Sequence, residues 1–243
     1  MDVAAGAARI AGALRAAGDP DRAEHERRYL KSALHHDGAS VPAIRKIARD
    51  ALAAEPGITH DDLVGLVEAL WARPVHECRM AAEELLDAGS GLLVAGDMAL
   101  LERLIRESRT WALVDGLAAS IVGPLVVRNP GLVAILDRWA VDGDFWIRRS
   151  ALLALLLPLR AGAGDFDRFC AYAEPMLGER EFFIRKAIGW VLRETSKKQP
   201  DRVYAWLEPR AGQASGVTVR EAVKYLAPAQ REAVLAAYRA GAA

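Results

Sequence analysis

One texture recurs along this chain. It appears as VPAIRKIA from Val41, VHECRMAA from Val75, FWIRRSALL from Phe145, FFIRKAIGW from Phe182 and VTVREAVKYL from Val217. Each sets an arginine about three residues after an apolar start. These are Arg45, Arg79, Arg148, Arg185 and Arg220, separated by 34, 69, 37 and 35 residues. The long interval is close to two periods, with TWALVDGLA from Thr110 at its middle. A unit of about 35 residues that cannot bury its apolar face alone must stack on its neighbours. The expected fold is all-α: about six or seven helical pairs in an α-α superhelix, a curved solenoid with a concave face.

Local pattern agrees. Apolar residues recur at three- and four-residue intervals, as in Leu63, Leu66, Val67, Leu70 and Trp71, the helical period. Strand-like alternation is nearly absent. Asp19-Pro20, Pro56-Gly57, Asn129-Pro130, Gly162 to Gly164, Gln199-Pro200 and Ala227-Pro228 punctuate the chain. Thr59 with Asp62 three residues on reads as a capping box before the Leu63 helix. No linker looks long enough to split the chain, so residues 1-243 are read as one repeat domain. The period resembles a tetratricopeptide, but the Trp, Leu-Gly and Tyr signature is missing, and the variable spacing suits HEAT-like repeats. The periodic arginines are expected to satisfy helix ends and carboxylates; residues that break the repeat are the better functional candidates.

Composition narrows the function classes. The 32 basic and 32 acidic residues cancel, so any nucleic-acid binding must come from where the charges sit. Between Asp144 and Lys198 there are ten basic and seven acidic residues, a local excess that suits phosphate contacts. Cys78 and Cys170 stand in unrelated contexts, which excludes a disulfide framework and fits a cytoplasmic protein. No apolar run approaches the roughly 20 residues that span a bilayer, and the Ala-rich N-terminus lacks a signal-peptide core. No membrane contact is expected, and the chain is expected to be a monomer. His35 and His36 are adjacent with no Cys or carboxylate cluster beside them in sequence, so no metal site is expected. His76-Glu77 lacks the second histidine of a zinc-protease motif.

Three segments stand out. In TWALVDGLAASIVGPLV, Trp111 and Asp115 lie one helical turn apart on one face. DFWIRRSALLALL carries Trp146, Arg148 and Arg149. In EFFIRKAIGWVLRETSKKQP, Lys186 and Trp190 are again four apart, and Lys197-Lys198 follow. Aligning the last two on their Ile-Arg steps puts Arg149 opposite Lys186, so helical phase prefers Arg149 over Arg148 as the groove-facing cation. Trp71, Trp139 and Trp206 read as core. Together, Trp111, Asp115, Arg149 and Trp190 would line one surface with indole faces, one carboxylate and cations.

These segments resemble the AlkD-like DNA alkylation repair family, HEAT-like repeat alkylpurine DNA glycosylases. FFIRKAIGWVLRETSKKQP, residues 182–200, is close to a family signature. TWALVDGLA is similar to its Trp-x-x-x-Asp element, FWIRRSALL to its Trp-x-Arg-Arg element, and RRYLKSALHHDGASVPAIRKIA from Arg27 to its N-terminal segment. Thr110 and Ala112 stand where members often carry a second Trp and an acidic or polar residue. The resemblance implies hydrolysis of the N-glycosidic bond of N3- or N7-alkylated purines in double-stranded DNA, without a cofactor and without base flipping. It implies that Asp115 is the catalytic carboxylate and that Trp111 and Trp190 pack near the deoxyribose. It also implies DNA contacts from Arg148 or Arg149, with Lys186, Trp146 and Lys197 nearby in the same segments. The rival expectation is a non-catalytic HEAT-like scaffold.

Overall fold

The structure, a computed structural model, describes residues 1–241, and no strand occurs among them. The helical expectation is met. Backbone contacts divide the chain into two compact units, Met1–Leu117 and Ala118–Ala243.

The first unit contains α1 (Val3–Ala16), α2 (Pro20–Leu30), α3 (Val41–Ala53), α4 (His60–Trp71), α5 (His76–Ala88), α6 (Met98–Ser108) and α7 (Trp111–Gly116). The starts follow from side chains that accept the orphan first-turn amides. Asp2, Asp19, Ser40 and Thr59 cap α1, α2, α3 and α4. The Thr59–Asp62 capping box forms in both directions. The core sits where α1, α3, α4 and α5 meet, and Leu63, Leu66, Val67, Leu70 and Trp71 are all buried in it. Helix α2 is the exception, with no buried residue.

The second unit contains α8 (Gly123–Arg128), α9 (Val133–Trp139), α10 (Phe145–Leu153), α11 (Leu156–Ala161), α12 (Phe166–Ala173), α13 (Phe182–Ser196), α14 (Pro200–Leu207), α15 (Gly216–Ala222) and α16 (Pro228–Gly241). Its centre is α13, which packs on α10, α11, α14 and α15. Ile184, Ala187, Ile188, Val191 and Leu192 form its buried face. Gly189 brings α15 close: a β-carbon there would lie 2.8 Å from Glu221 Cβ and 2.9 Å from Thr218 O. Trp139 and Trp206 are core, as expected.

Several of the periodic arginines satisfy carboxylates and helix ends. Arg45 clamps Glu84 with Nε and Nη2. Arg79 donates to Glu107 O and lies 5.0 Å over the Trp71 ring, while Arg185 donates to Glu179 O. One stretch departs from the sequence reading. Trp111–Arg128 is helical and, by length and composition, apolar enough to cross a membrane. Its Leu113, Val114, Leu117, Ile121, Val122 and Leu125 are buried within the protein, so its apolar content is accounted for as core. Residues Leu117–Val122 of it form a π-helical turn, a distortion that recurs near functional sites.

Candidate functional site

In the first unit, Trp111 and Asp115 are placed by an abrupt join. Helix α6 ends at Arg109, which takes a left-handed φ of 48°, and Thr110 caps α7 by accepting from Ala112 N at 3.4 Å. Leu113 and Val114 anchor one side of α7 in the core, which leaves Trp111 and Asp115 half-buried on the other. The four-residue spacing thus does what it promised. Tyr29, on α2, meets the Trp111 ring edge-on with centroids 6.0 Å apart and is itself exposed.

A second carboxyl sits beside this pair. A β-carbon on Gly116 would lie 1.6 Å from Glu83 Oε1, so α5 and α7 approach there only because residue 116 has no side chain. Glu83 Oε2 is buried without a hydrogen-bond partner. Burial pushes the Glu83 carboxyl well above the usual range; Glu84, Asp115 and Asp87 push the same way and Arg45 opposes them. A buried acid whose pKa is raised beside a second carboxyl is the kind of perturbed group that gathers at reactive sites. Sequence reasoning missed both Glu83 and Tyr29.

In the second unit, α10 starts at Asp144, whose carboxylate accepts from Trp146 N at 2.9 Å. The Trp146 ring lies 4.5 Å from Phe145 and 4.8 Å from Phe183. It is 8% exposed, and Arg149 is 2% exposed. Arg149 donates to Phe183 O and lies 5.9 Å from that ring. The free protein holds these residues close to its own surface. Trp146 and Arg149, read as DNA contacts, offer almost no surface, because α10 turns both toward the first turn of α13. Arg148 is committed elsewhere: it clamps Glu179 at 3.1 and 2.8 Å and donates to Asp142 O at 2.6 Å.

Helix α13 presents the more accessible groups. Trp190 is half-buried, one turn beyond Lys186. Lys186 Nζ donates to Glu221 Oε1 at 2.7 Å, and Arg193 reaches the same carboxylate. Lys197 Nζ donates to Glu194 Oε2 at 2.8 Å and lies 4.9 Å over the Tyr225 ring. Burial alone would raise the Glu221 carboxyl, but the Lys186 and Lys224 hydrogen bonds and the nearby charges hold it down to about 2. Lys197, Arg160 and Arg193 do the same for Glu194, again to about 2.

The fold gathers Glu26 and Glu77 around His36, with one ligand-type atom from each lying within 4.8 Å of the others.

Comparison with known proteins gives the family. The model of the family described as "DNA alkylation repair enzyme" matches residues 10–226. No curated protein matches the chain. Among solved structures, a predicted DNA alkylation repair enzyme from Enterococcus faecalis superposes with a TM-score of 0.78 at 23% identity, covering 87% of this chain and 97% of that one. AlkD2 from Streptococcus mutans superposes with a TM-score of 0.60 at 18% identity, covering 84% and 98%. The smu.31 protein of Streptococcus mutans UA159 gives 0.59 at 18%, covering 77% and 98%. At these identities the superpositions speak for the fold, while the match spanning Ile10 to Leu226 speaks for descent: the chain belongs to the DNA alkylation repair enzyme family.

Proposed function

We propose that the protein is a monofunctional DNA glycosylase that hydrolyses the N-glycosidic bond of N3- and N7-alkylated purines in duplex DNA. The observation that carries this reading is the half-exposed Trp111–Asp115 pair on α7, in a member of a DNA alkylation repair family.

The chemistry follows from charge. Alkylation at N3 or N7 leaves the purine cationic, so the base departs without protonation. Cleavage then builds positive charge on the sugar, as in glycosidic reactions through oxocarbenium-like states. A fixed carboxylate at Asp115 and the indole face of Trp111 stabilise that charge more than they stabilise the ground state. Asp115 also orients the attacking water. Trp190 packs at the deoxyribose, and Lys186 and Lys197 contact phosphates. The base stays in the stack, so no pocket sizes the lesion. The protein acts as a cytoplasmic monomer on double-stranded DNA.

The test is release of free base from duplex DNA carrying 7-methylguanine, followed under single-turnover conditions. Release above the spontaneous rate is expected. A protein that binds the duplex and leaves depurination at the spontaneous rate is a scaffold, and the glycosylase reading falls.

A further inference from the structure

The loop before α3 is bonded to the start of α5. His35 N donates to Pro74 O at 2.9 Å and His76 N to His35 O at 2.8 Å. Glu77 accepts from Asp37 N at 2.9 Å and from Gly38 N at 2.6 Å. Glu77 is fully buried, and among the described residues it forms no ion pair with Lys or Arg. Beside it, the His36 ring is 5% exposed, and neither Nδ1 nor Nε2 has a hydrogen-bond partner. His76 stacks on that ring at 4.5 Å and is 3% exposed, with Nδ1 also unpartnered. Glu26 of α2 completes the cluster.

A buried carboxylate without a cation and a buried imidazole without a partner are each costly. One cation between them removes both costs. The donor set is one imidazole nitrogen and two carboxylate oxygens, which suits a borderline divalent ion with bonds of about 2.0–2.2 Å. The three atoms span up to 4.8 Å, and Glu26, whose side chain is 25% exposed, has the freedom to draw in.

The placement gives such an ion a task. Helix α2 buries no residue, and its ion pairs, Arg22–Glu26, Arg27–Glu24 and Arg28–Glu24, lie within the helix itself. Yet α2 carries Tyr29, the ring that meets Trp111. We propose that Glu26, His36 and Glu77 bind one divalent transition-metal ion, which clamps α2, and with it Tyr29, onto the rest of the first unit. The ion is structural, and the proposal stands apart from the glycosylase reading.

The experiment strips the full chain with chelator and titrates it with Co2+ and with Zn2+, following cobalt absorbance, heat of binding and amide hydrogen exchange. One ion per chain is expected, with slower exchange in α2. Glu26→Gln, at a half-exposed position where folding is not at stake, should weaken binding at least tenfold and abolish the slowing. His36→Gln should do the same. Absence of binding up to millimolar metal overturns the proposal. So does binding that Glu26→Gln leaves unchanged, which places the ion elsewhere. Binding without slower exchange in α2 overturns the clamp.

Discussion

At the scale of single residues, Asp115 and Glu83 divide two tasks that carboxyls perform. If Asp115 stabilises a cationic sugar, its charge matters and its shape does not. Asp115→Asn keeps the size and loses the charge, so excision should fall about tenfold to a thousandfold, roughly 1.4 to 4 kcal/mol of barrier, with duplex affinity near normal. The low end is favoured by how readily alkylated purines depart. A variant that melts earlier but cuts at the wild-type rate would reassign Asp115 to bracing the fold. Glu83 has the opposite signature. Its folded pKa is raised above the ordinary 4.5, so the stability it contributes is present below about pH 4.5. That stability is lost as pH rises toward the folded pKa, by on the order of 1 kcal/mol per pH unit. Glu83→Gln keeps the shape without the ionisation. Its stability relative to wild type should therefore rise as pH increases above about 4.5. Urea unfolding across that range checks it; a constant difference would remove the neutral-acid assignment.

At the scale of elements, helix starts and buried faces were legible because their signals are local. Thr59 and Asp62 are one turn apart, and the buried stripe of α4 is written at helical spacing. Trp111 and Asp115 were legible for the same reason. What escaped notice was partnership between elements. Nothing local in the sequence marks Glu83, and only the missing side chain of Gly116 lets α7 cover it. His36 and Glu77 are far apart in sequence and are brought together by backbone bonds between His35 and the Pro74–His76 segment. Helical phase separated Arg149 from Arg148, but phase does not say whether the favoured face meets solvent or the first turn of α13. The same elements predict an acid response. Glu194, on α13, and Glu221, on α15, have folded pKa values lowered to about 2 from 4.5. Their contribution is present above about pH 4.5 and is lost as pH falls toward 2. Both side chains are well covered, at 2% and 12% exposure, so screening by solvent is limited. Glu194→Gln or Glu221→Gln should lower stability at pH 7 and flatten its decline below pH 4.5. An unaltered acid limb in both variants would contradict the pairing.

At the scale of the whole molecule, a chain with equal numbers of acidic and basic residues must bind a polyanion by exchanging partners. Lys186 is held by Glu221 and Lys197 by Glu194, so each phosphate contact competes with a contact already made. The price of specificity is then a weak dependence on salt, because few counterions are released when the protein docks. Lys186→Ala and Lys197→Ala should each weaken binding to duplexes of any sequence and flatten the log–log salt slope by less than the roughly one unit that an unpaired lysine contributes. Arg149→Ala, at a buried position, should chiefly lower the melting temperature. Glu221→Gln separates competition from simple loss of structure. It removes the carboxylate that holds Lys186, Lys224 and Arg193. Although it costs stability, it should tighten non-specific duplex binding at low salt and steepen the slope. Fluorescence anisotropy over a salt series, well below the melting temperature of every variant, reads both quantities. If Glu221→Gln weakens binding as Lys186→Ala does, the carboxylate positions the lysine for DNA rather than competing for it.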